Sequence, residues 1–455
     1  MELFFGGKII TGASSAEGAL VVDNGRIIKV STEENAAETL GAQFPEAVKT
    51  DLKGLCIMAG GIDAHVHFRE PGATQKADME TESRAALLGG ITSVMDMPNT
   101  KPATTSIQAV KDKIALAQGR MWTNYAFHIG ATNDNADEIA ESAKMSMPGL
   151  GAIKVFLGSS TGNMLVDNQQ ALDKIFSIKT RPVLIHSEDE NIIRKNLQEA
   201  KEKFGENVPF EEHPNIRSRK ACIMSSIRAL EKAMDCGTHL HLLHVTTAEE
   251  VHMIRAAKIQ KAKITGETSL NYMSFCDEDY AALKGKVKCN PAVKTANDRQ
   301  LLRDAFHDGI IDTIGSDHAP HLLSEKDAPY LSCPSGVPSV QQSLPGIITI
   351  ALEEKTPLEK VASAMSERAA DIFGIKDRGY LKEGYIADMV VFDPEKEFTV
   401  GKPAYKCGWT PYEGKTFKGW IKDVYLAGKK VVADGVLTQE KPSGEPLLLE
   451  PLRDA

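Results

Sequence analysis

Residues 62–72 read IDAHVHFREPG, a short apolar strand that carries two histidines and then an arginine. Side chains alternate across a strand with a period of two, so His65 and His67 point to the same face. Two imidazoles on one face form half of a divalent metal site, because histidine is a common metal ligand. Arg69 continues the spacing and carries a planar guanidinium suited to a carboxylate. Taken alone, the stretch predicts either a metal site beside an anion clamp or a strand with a half-buried polar face.

Outward from this stretch, short apolar segments alternate with helical patterns. The candidate strands are residues 62–67, 92–97, 125–130, 152–157, 182–186, 239–245, 263–267 and 312–317. The helical stretches between them include residues 77–88, 134–144, 168–176 and 248–258. Eight strands that alternate with helices predict an α/β protein with a (β/α)₈ barrel of the TIM type.

The two ends of the chain are typical of β structure. Residues 1–54 contain apolar segments broken by turn pairs at Gly6–Gly7 and Asn24–Gly25, and Asn-Gly between β-branched runs predicts a hairpin. Residues 379–455 show the same pattern. We predict that 1–54 and 379–455 are the N- and C-terminal parts of one small β-sandwich domain, and that 55–378 form the catalytic barrel.

Composition narrows the function classes. A formal net charge of -9 and the lack of a Lys/Arg-rich block argue against nucleic-acid binding. No apolar run approaches the roughly 18 residues that span a bilayer, and the first residues lack the pattern of a signal peptide. The seven cysteines form no CxxC pair and are expected to be reduced thiols. We expect a cytoplasmic protein that binds neither membranes nor nucleic acid.

Catalytic groups of such a barrel belong at the C-terminal ends of its strands. Five of the eight predicted strands end there in charged or imidazole side chains: His65 with His67, Lys154, His186, His244 and Asp317. Four histidines, an aspartate and one further anionic ligand would suffice for two divalent ions.

Lys154 is the unusual member, because it lies among aliphatic strand residues. Burial there would depress the pKa of its amine, and a neutral amine can react with carbon dioxide to form an anionic carbamate. A buried ion pair with a carboxylate is the competing interpretation. Among the remaining histidines, His128 and His241 are expected in the core or behind the ligands, and His213, His252 and His307 on the solvated surface.

This ordered set resembles the binuclear amidohydrolase superfamily, and three motifs narrow the resemblance to the dihydroorotase family. They are FREPG at 68–72, MPNT at 97–100 and DHAPH at 317–321. The resemblance implies reversible cyclisation of N-carbamoyl-L-aspartate to L-dihydroorotate and water in pyrimidine (UMP) biosynthesis. It also implies two divalent ions bridged by hydroxide, carboxylated Lys154 as a bridging ligand, and Asp317 as both ligand and general acid/base. His and carboxylate ligands suit Zn²⁺ best.

The resemblance also assigns residues to the small-molecule substrate. Arg69 and Asn99, helped by His321, are expected to hold its α-carboxylate. Asn290 matches a ring-binding position, and the loop 334–338 matches one that presents the backbone of Ser335 and Gly336. Two protein partners are open as expectations: a second copy of the chain, which would form a homodimer, and aspartate transcarbamoylase.

Three positions depart from the family pattern, and their roles stay open. Lys294 ends NPAVK where many relatives have NPPLR, and Asn271–Tyr272 stands where many have two histidines. The nearest alternatives are allantoinase and the dihydropyrimidinase or hydantoinase type of cyclic amidase, whose substrates lack the carboxylate that Arg69 would hold. A remote alternative is an inactive dihydroorotase-like scaffold subunit, which would be expected to have lost ligands.

Overall fold

A computed structural model describes residues 1–157 and 164–452 of the chain. The N-terminal strands are β1 (Glu2–Ile10), β2 (Ser15–Asp23), β3 (Arg26–Ser31), β4 (Val48–Asp51) and β5 (Cys56–Ala59). The next eight are β6 (Gly61–Val66), β7 (Ile91–Asp96), β8 (Asn124–Gly130), β9 (Leu150–Phe156), β10 (Val183–His186), β11 (Leu240–Leu242), β12 (Ile264–Thr268) and β13 (Thr313–Ile314). The C-terminal strands are β14 (Met389–Asp393), β15 (Phe398–Thr399), β16 (Thr416–Phe417), β17 (Trp420–Leu426), β18 (Lys429–Ala433) and β19 (Val436–Leu437).

Strands β6 to β13 form an eight-stranded parallel sheet in which each strand neighbours the next along the chain. The sheet nearly closes on itself, because Val66 bridges to His318 and the backbone N–H of His67 donates to the carbonyl of His318 at 2.8 Å. The predicted (β/α)₈ barrel is therefore confirmed. Its first five strands are buried along their whole length, as expected for a parallel sheet covered by helices.

Helices follow the barrel strands and cover them. Their bounds are Met79–Leu88, Ile107–Ala117, Ala136–Ser142, Gln169–Phe176, Glu190–Phe204, His213–Ile216, Arg219–Cys236, Ala248–Ile259, Leu270–Ser274, Asp279–Leu283, Ala296–Asp308, Leu323–Lys326, Val340–Glu353, Leu358–Ala362 and Arg368–Phe373, with Ala36–Gln43 in the N-terminal segment. Short 3₁₀ turns lie at Phe210–Glu212 and Lys284–Val287, and a π turn at Ser363–Glu367.

Several of these helices begin at a side chain that accepts a backbone N–H of the first turn, which satisfies a donor with no partner inside the helix. These capping residues are Asp78, Ser106, Asn168, Asp189, Ser218, Thr247 and Thr295. Among the described residues, no helix is long and apolar enough to cross a membrane.

The two ends of the chain meet in one largely antiparallel sheet of nine strands. Its order is β19-β18-β17-β14-β5-β1-β2-β3, with β4 also paired to β1. The predicted hairpin at Asn24–Gly25 is confirmed, because Asp23 pairs with Arg26 and both turn residues have positive φ. The predicted turn at Gly6–Gly7 is wrong: β1 runs through it, and the register with β2 shifts between Phe4 and Gly7. The division of the chain at residues 54 and 379 stays a prediction.

The alternation along the barrel strands determines what faces the barrel interior. Ala152 and Leu184 pack within the barrel, whereas Ile153 and Val155 pack toward the outer helices. Since side chains alternate across a strand, Lys154 and His186, each two residues after Ala152 and Leu184, face the barrel interior as well. The polar residues at these strand ends therefore lie at the mouth of the barrel.

Candidate metal and anion site

The ligands predicted on the first and last barrel strands lie together. The Nε2 atoms of His65 and His67 are 3.3 Å and 3.1 Å from Oδ1 of Asp317. One ligand atom from each of these three residues lies within 4.8 Å of the others, a separation suited to a shared metal ion.

The histidines of the fifth and sixth strands form the other half of the cluster. His186 Nδ1 lies 2.9 Å from His244 Nε2. The ring of His244 is also 5.4 Å from that of His65, measured between centroids. All four predicted histidines therefore face one space at the barrel mouth.

The ring nitrogens that face away from this space have oxygen partners. His65 Nδ1 contacts Glu267 Oε1 at 2.6 Å, and His186 Nε2 contacts Glu188 Oε2 at 2.9 Å. His67 Nδ1 contacts Asn99 Oδ1 at 2.8 Å. Metal-binding histidines are held in this way, because the outer hydrogen bond fixes the ring and its tautomer. The arrangement leaves His65 Nε2, His67 Nε2 and His186 Nδ1 directed inward.

Lys154 lies beside these histidines and is only 1% exposed. Its Nζ lies 4.7 Å from the centroid of the Phe156 ring, and it forms no ion pair with any carboxylate in residues 1–157 and 164–452. Burial lowers the pKa of Lys154 to about 7, which favours the neutral amine that carbamate formation requires. The geometry gives no support to the buried ion pair that was the competing interpretation.

The protonation states also fit metal binding, which requires neutral imidazoles and ionised carboxylates. Burial lowers the pKa of His67 to about 4. Burial opposes ionisation of Asp317, but the facing histidines His65 and His67 outweigh it and lower the pKa of this carboxyl. The Nδ1 atom of His244 is buried and has no hydrogen-bond partner among the described residues. This donor set therefore fits two divalent ions.

Three residues at this mouth have left-handed backbone conformations although none is glycine. They are Arg69 with φ 63°, His244 with φ 39° and Asp317 with φ 48°. Non-glycine residues with positive φ are uncommon and cluster at functional sites. Strand β6 ends at Val66, so Arg69 reaches the site from a turn and not from the strand face that its spacing predicts.

Cationic groups surround His321 at one edge of the histidine cluster. Arg69 Nε donates to the carbonyl of Pro320 at 3.1 Å, and its Nη2 lies 3.0 Å from His321 Nε2. Lys76 Nζ lies 3.0 Å from His321 Nδ1 and 2.7 Å from Glu325 Oε1. Burial, together with the charges of Arg69 and Lys76, lowers the pKa of His321. A neutral imidazole between two cations is an arrangement that a bound anion would stabilise.

Of the remaining predicted substrate residues, Ser335 and Gly336 border this edge. Asn290 Oδ1 is buried without a hydrogen-bond partner among the described residues, so it can accept one from a ligand. The carbonyl of Ser335 lies 3.1 Å from His321 Nε2. Gly336 has φ +143°, and a Cβ there would lie 2.4 Å from the carbonyl oxygen of Ala319, so this position requires glycine.

Comparison with known proteins agrees with this geometry. A model of the amidohydrolase family matches residues 56–431. The chain belongs to the amidohydrolase family. It is 31% identical to a dihydroorotase from Methanosarcina acetivorans over 90% of this chain and 87% of that one. It is also 29% identical to an allantoinase from Streptomyces avermitilis over 98% of both chains.

Solved structures show the same fold. An L-hydantoinase (dihydropyrimidinase) from Arthrobacter aurescens superposes with a TM-score of 0.91 at 23% identity, over 98% of this chain and 99% of that one. Membership of the amidohydrolase family makes this protein a metal-dependent hydrolase.

In this amidohydrolase the positions that depart from the dihydroorotase pattern support the loop around Asn290. Tyr272 Oη donates to the carbonyl of Pro291 at 2.8 Å, and Lys294 Nζ donates to that of Ala292 at 2.7 Å. Asn271 Oδ1 accepts from Tyr412 Oη at 2.7 Å.

Sequence reasoning missed the carboxylates that hold the ligands. Glu267 ends a predicted barrel strand, so the expectation that functional groups lie at the C-terminal ends of the strands could have identified it. Glu188 has no such signal in the sequence. Burial alone would raise the pKa of its carboxyl, but Arg217 and His186 outweigh this effect and lower the pKa.

The surface prediction for His213 is wrong: it is 1% exposed and contacts Tyr330 Oη and the Cys289 carbonyl, both at 2.8 Å. His252 and His307 are exposed, and His128 and His241 are buried, as predicted.

Proposed function

We propose that this amidohydrolase is a dihydroorotase, which interconverts N-carbamoyl-L-aspartate and L-dihydroorotate plus water in pyrimidine biosynthesis. The observation that carries the proposal is the group of Arg69, Lys76 and His321 at the edge of the histidine cluster. A ring that bears a carboxylate uses these cations, because guanidinium–carboxylate contacts are strong and directional. Dihydroorotases at about 30% identity support the same choice.

The chain offers a complete ligand set for the catalytic ions. The residues are His65, His67, Lys154, His186, His244 and Asp317, with Lys154 carboxylated. When bound there, two divalent ions, which we propose to be Zn²⁺, lower the pKa of water and polarise the amide carbonyl.

Asp317 moves the proton in this proposal. Its Oδ1 lies 3.3 Å from His65 Nε2 and 3.1 Å from His67 Nε2, within the proposed ligand set. In hydrolysis the carboxylate accepts the proton of water and passes it to the ring nitrogen as the amide bond breaks. In cyclisation it accepts the proton of the ureido nitrogen and passes it to the hydroxyl group of the substrate carboxyl, which leaves as water when the amide bond forms.

The neighbouring residues orient the ring. The Nη1 group of Arg69 and the Nδ2 group of Asn99 bind the α-carboxylate, because Arg69 Nε, Arg69 Nη2 and Asn99 Oδ1 already have partners within the protein. His321 adds a further contact to the carboxylate. Asn290 Oδ1 accepts a ring N–H, and the backbone of Ser335 and Gly336 contacts the opposite edge of the ring.

Allantoinase and dihydropyrimidinase or hydantoinase activities are the alternative. Their substrates are cyclic amides without a ring carboxylate, so the half-buried Arg69, which has no carboxylate partner among the described residues, would have no anion to bind. The inactive-scaffold alternative is disfavoured, because the chain keeps every proposed ligand and the oxygen partners behind His65, His67 and His186.

A substrate panel tests the proposal directly. Purified protein reconstituted with Zn²⁺ is assayed by ultraviolet absorbance for hydrolysis of dihydroorotate, with allantoin, hydantoin and dihydrouracil in parallel. We expect kcat/KM for dihydroorotate to exceed each of the others by about 100-fold or more, the worth of one charge-assisted contact. A higher kcat/KM for any uncharged ring would refute the assignment.

We also propose a cytoplasmic location. All seven cysteines are free thiols, which suits a reducing compartment.

A further inference from the structure

Lys326 is a buried lysine whose ammonium group is bound by backbone carbonyls. It ends the short helix Leu323–Lys326 and is 1% exposed. Its Nζ donates to the carbonyls of Lys288 at 3.1 Å, Pro334 at 2.7 Å and Gly336 at 2.9 Å. An ammonium group has three donors, so all of them are used. Lys326 has no carboxylate partner in residues 1–157 and 164–452.

A second buried ammonium holds the preceding part of the same segment. Lys288 Nζ donates to the carbonyls of Tyr330 at 2.7 Å and Cys333 at 2.6 Å, and lies 4.0 Å from the centroid of the Tyr330 ring. The two lysines differ in reach. Lys326 binds the residues on both sides of Ser335, whereas Lys288 binds residues farther from it.

The segment that Lys326 holds borders the anion site. The Ser335 carbonyl contacts His321 Nε2, which in turn lies 3.0 Å from Arg69. Lys76 Nζ lies 3.0 Å from His321 Nδ1, so the imidazole is held between Lys76 on one side and Arg69 with the Ser335 carbonyl on the other. A shift of residues 334–336 would therefore move the His321 ring and the backbone that faces the substrate.

Burial of an ammonium group without a carboxylate is costly, because carbonyl dipoles replace only part of its hydration. That cost is offset where an anion binds nearby, since the uncompensated positive charge attracts it. The position of Lys326 beside Arg69 and His321 meets this condition.

We propose that Lys326 is a positioning residue for substrate binding, which fixes residues 334–336 against His321 and adds positive charge to the carboxylate pocket. The inference rests on the proposed dihydroorotase function. Lys288 supports the outer part of the segment and does not act on the substrate.

The proposal has a pH signature. Burial lowers the pKa of Lys326 to about 8. The groups that face it are Arg69, Lys288, His321, Cys289 and Cys333. Burial raises the pKa of both thiols, so they stay neutral in this range. Loss of the proton leaves two donors for three carbonyls and removes the charge, so KM for dihydroorotate should rise as the pH increases above about 8.

The matched variants Lys326→Met and Lys288→Met test the inference, because each removes one buried ammonium from the same segment. We expect Lys326→Met to raise KM about tenfold or more, with kcat changed by less than about threefold and zinc content unchanged. Lys288→Met should change KM by less than about twofold, since its partners lie away from the ligand. Circular dichroism checks that both variants fold. Equal KM values for the two variants would overturn the inference.

A second measurement keeps the inference testable if Lys326→Met does not fold. The Lys326→Arg variant retains a permanent positive charge, so the rise of KM above about pH 8 should be absent from it and present in the parent enzyme. The same alkaline rise in both proteins would refute the role of Lys326. A parent enzyme with zinc bound but without activity on dihydroorotate would refute the proposed function instead, so the two failures are distinguishable.

Discussion

The candidate site has two parts that are built differently: the metal half, which contains the proposed metal ligands, and the anion half, which contains the residues proposed to bind the substrate carboxylate. In the metal half, His65 and His186 lie at the ends of barrel strands, and carboxylates hold their outer nitrogens. In the anion half, Arg69 and Lys326 lie in turns or at a short helix, and backbone carbonyls hold them.

The difference shows how chemistry and selectivity are encoded separately. The carboxylates behind His65 and His186 compensate charge and fix the geometry of these ligands, so the metal half serves any cyclic amide. Carbonyls satisfy hydrogen bonds but leave net positive charge, so the anion half favours a ring with a carboxylate. Changes in the metal half should remove activity on every substrate, whereas changes in the anion half should affect charged substrates alone.

Substitution of Asp317 should have the largest effect, because it removes both a ligand and the proposed general base. We expect Asp317→Asn to lower kcat for dihydroorotate by about 10³-fold or more, measured under saturating substrate. The exposed residue His252 provides a control, since His252→Asn should keep full activity. An Asp317→Asn enzyme within tenfold of the parent would contradict the proton-transfer role.

Arg69→Ala should produce the next largest loss, and only on a charged ring. A missing charge-assisted contact costs roughly 2–5 kcal/mol in kcat/KM for dihydroorotate. Zinc content should be unchanged, because Arg69 contacts His321 and the Pro320 carbonyl and not the histidine cluster. Near-parental kcat/KM would show that the carboxylate binds elsewhere. A parallel loss of zinc would show that Arg69 also supports the metal half, which would contradict the division into two halves.

Lys154→Ala tests the metal half through binding instead of turnover. We expect the apparent affinity for at least one zinc ion to fall by about 100-fold or more, since loss of a ligand should exceed the effect of an outer-shell change. Competition with a chromophoric chelator measures it. Short carboxylic acids should restore part of the activity by replacing the carbamate, and reconstitution without bicarbonate should slow recovery of the parent enzyme. Full zinc affinity in the variant would exclude a bridging role.

The sequence allowed prediction of most of the barrel and of the ligands, because both follow short-range rules. Strand alternation predicts that His65 and His67 lie together. The preference of catalytic groups for the C-terminal ends of barrel strands adds Lys154, His186 and Asp317. Glu188 and Lys326 could not be found in this way, since their roles depend on contacts made by the folded loops. His213 was misplaced for the same reason: its partners Tyr330 and Cys289 are 117 and 76 residues away.

Glu188→Gln should have the smallest effect of the four and tests whether a carboxylate is needed behind His186. Glutamine keeps an acceptor for His186 Nε2 but removes the charge that Arg217 and His186 share. We expect zinc affinity to fall by about tenfold, the lower end for outer-shell changes, with KM for dihydroorotate unchanged once zinc is saturating. Because the buried Arg217 loses its partner charge, the melting temperature should also fall. If KM rose while zinc affinity stayed constant, Glu188 would belong to the anion half and the division drawn above would fail.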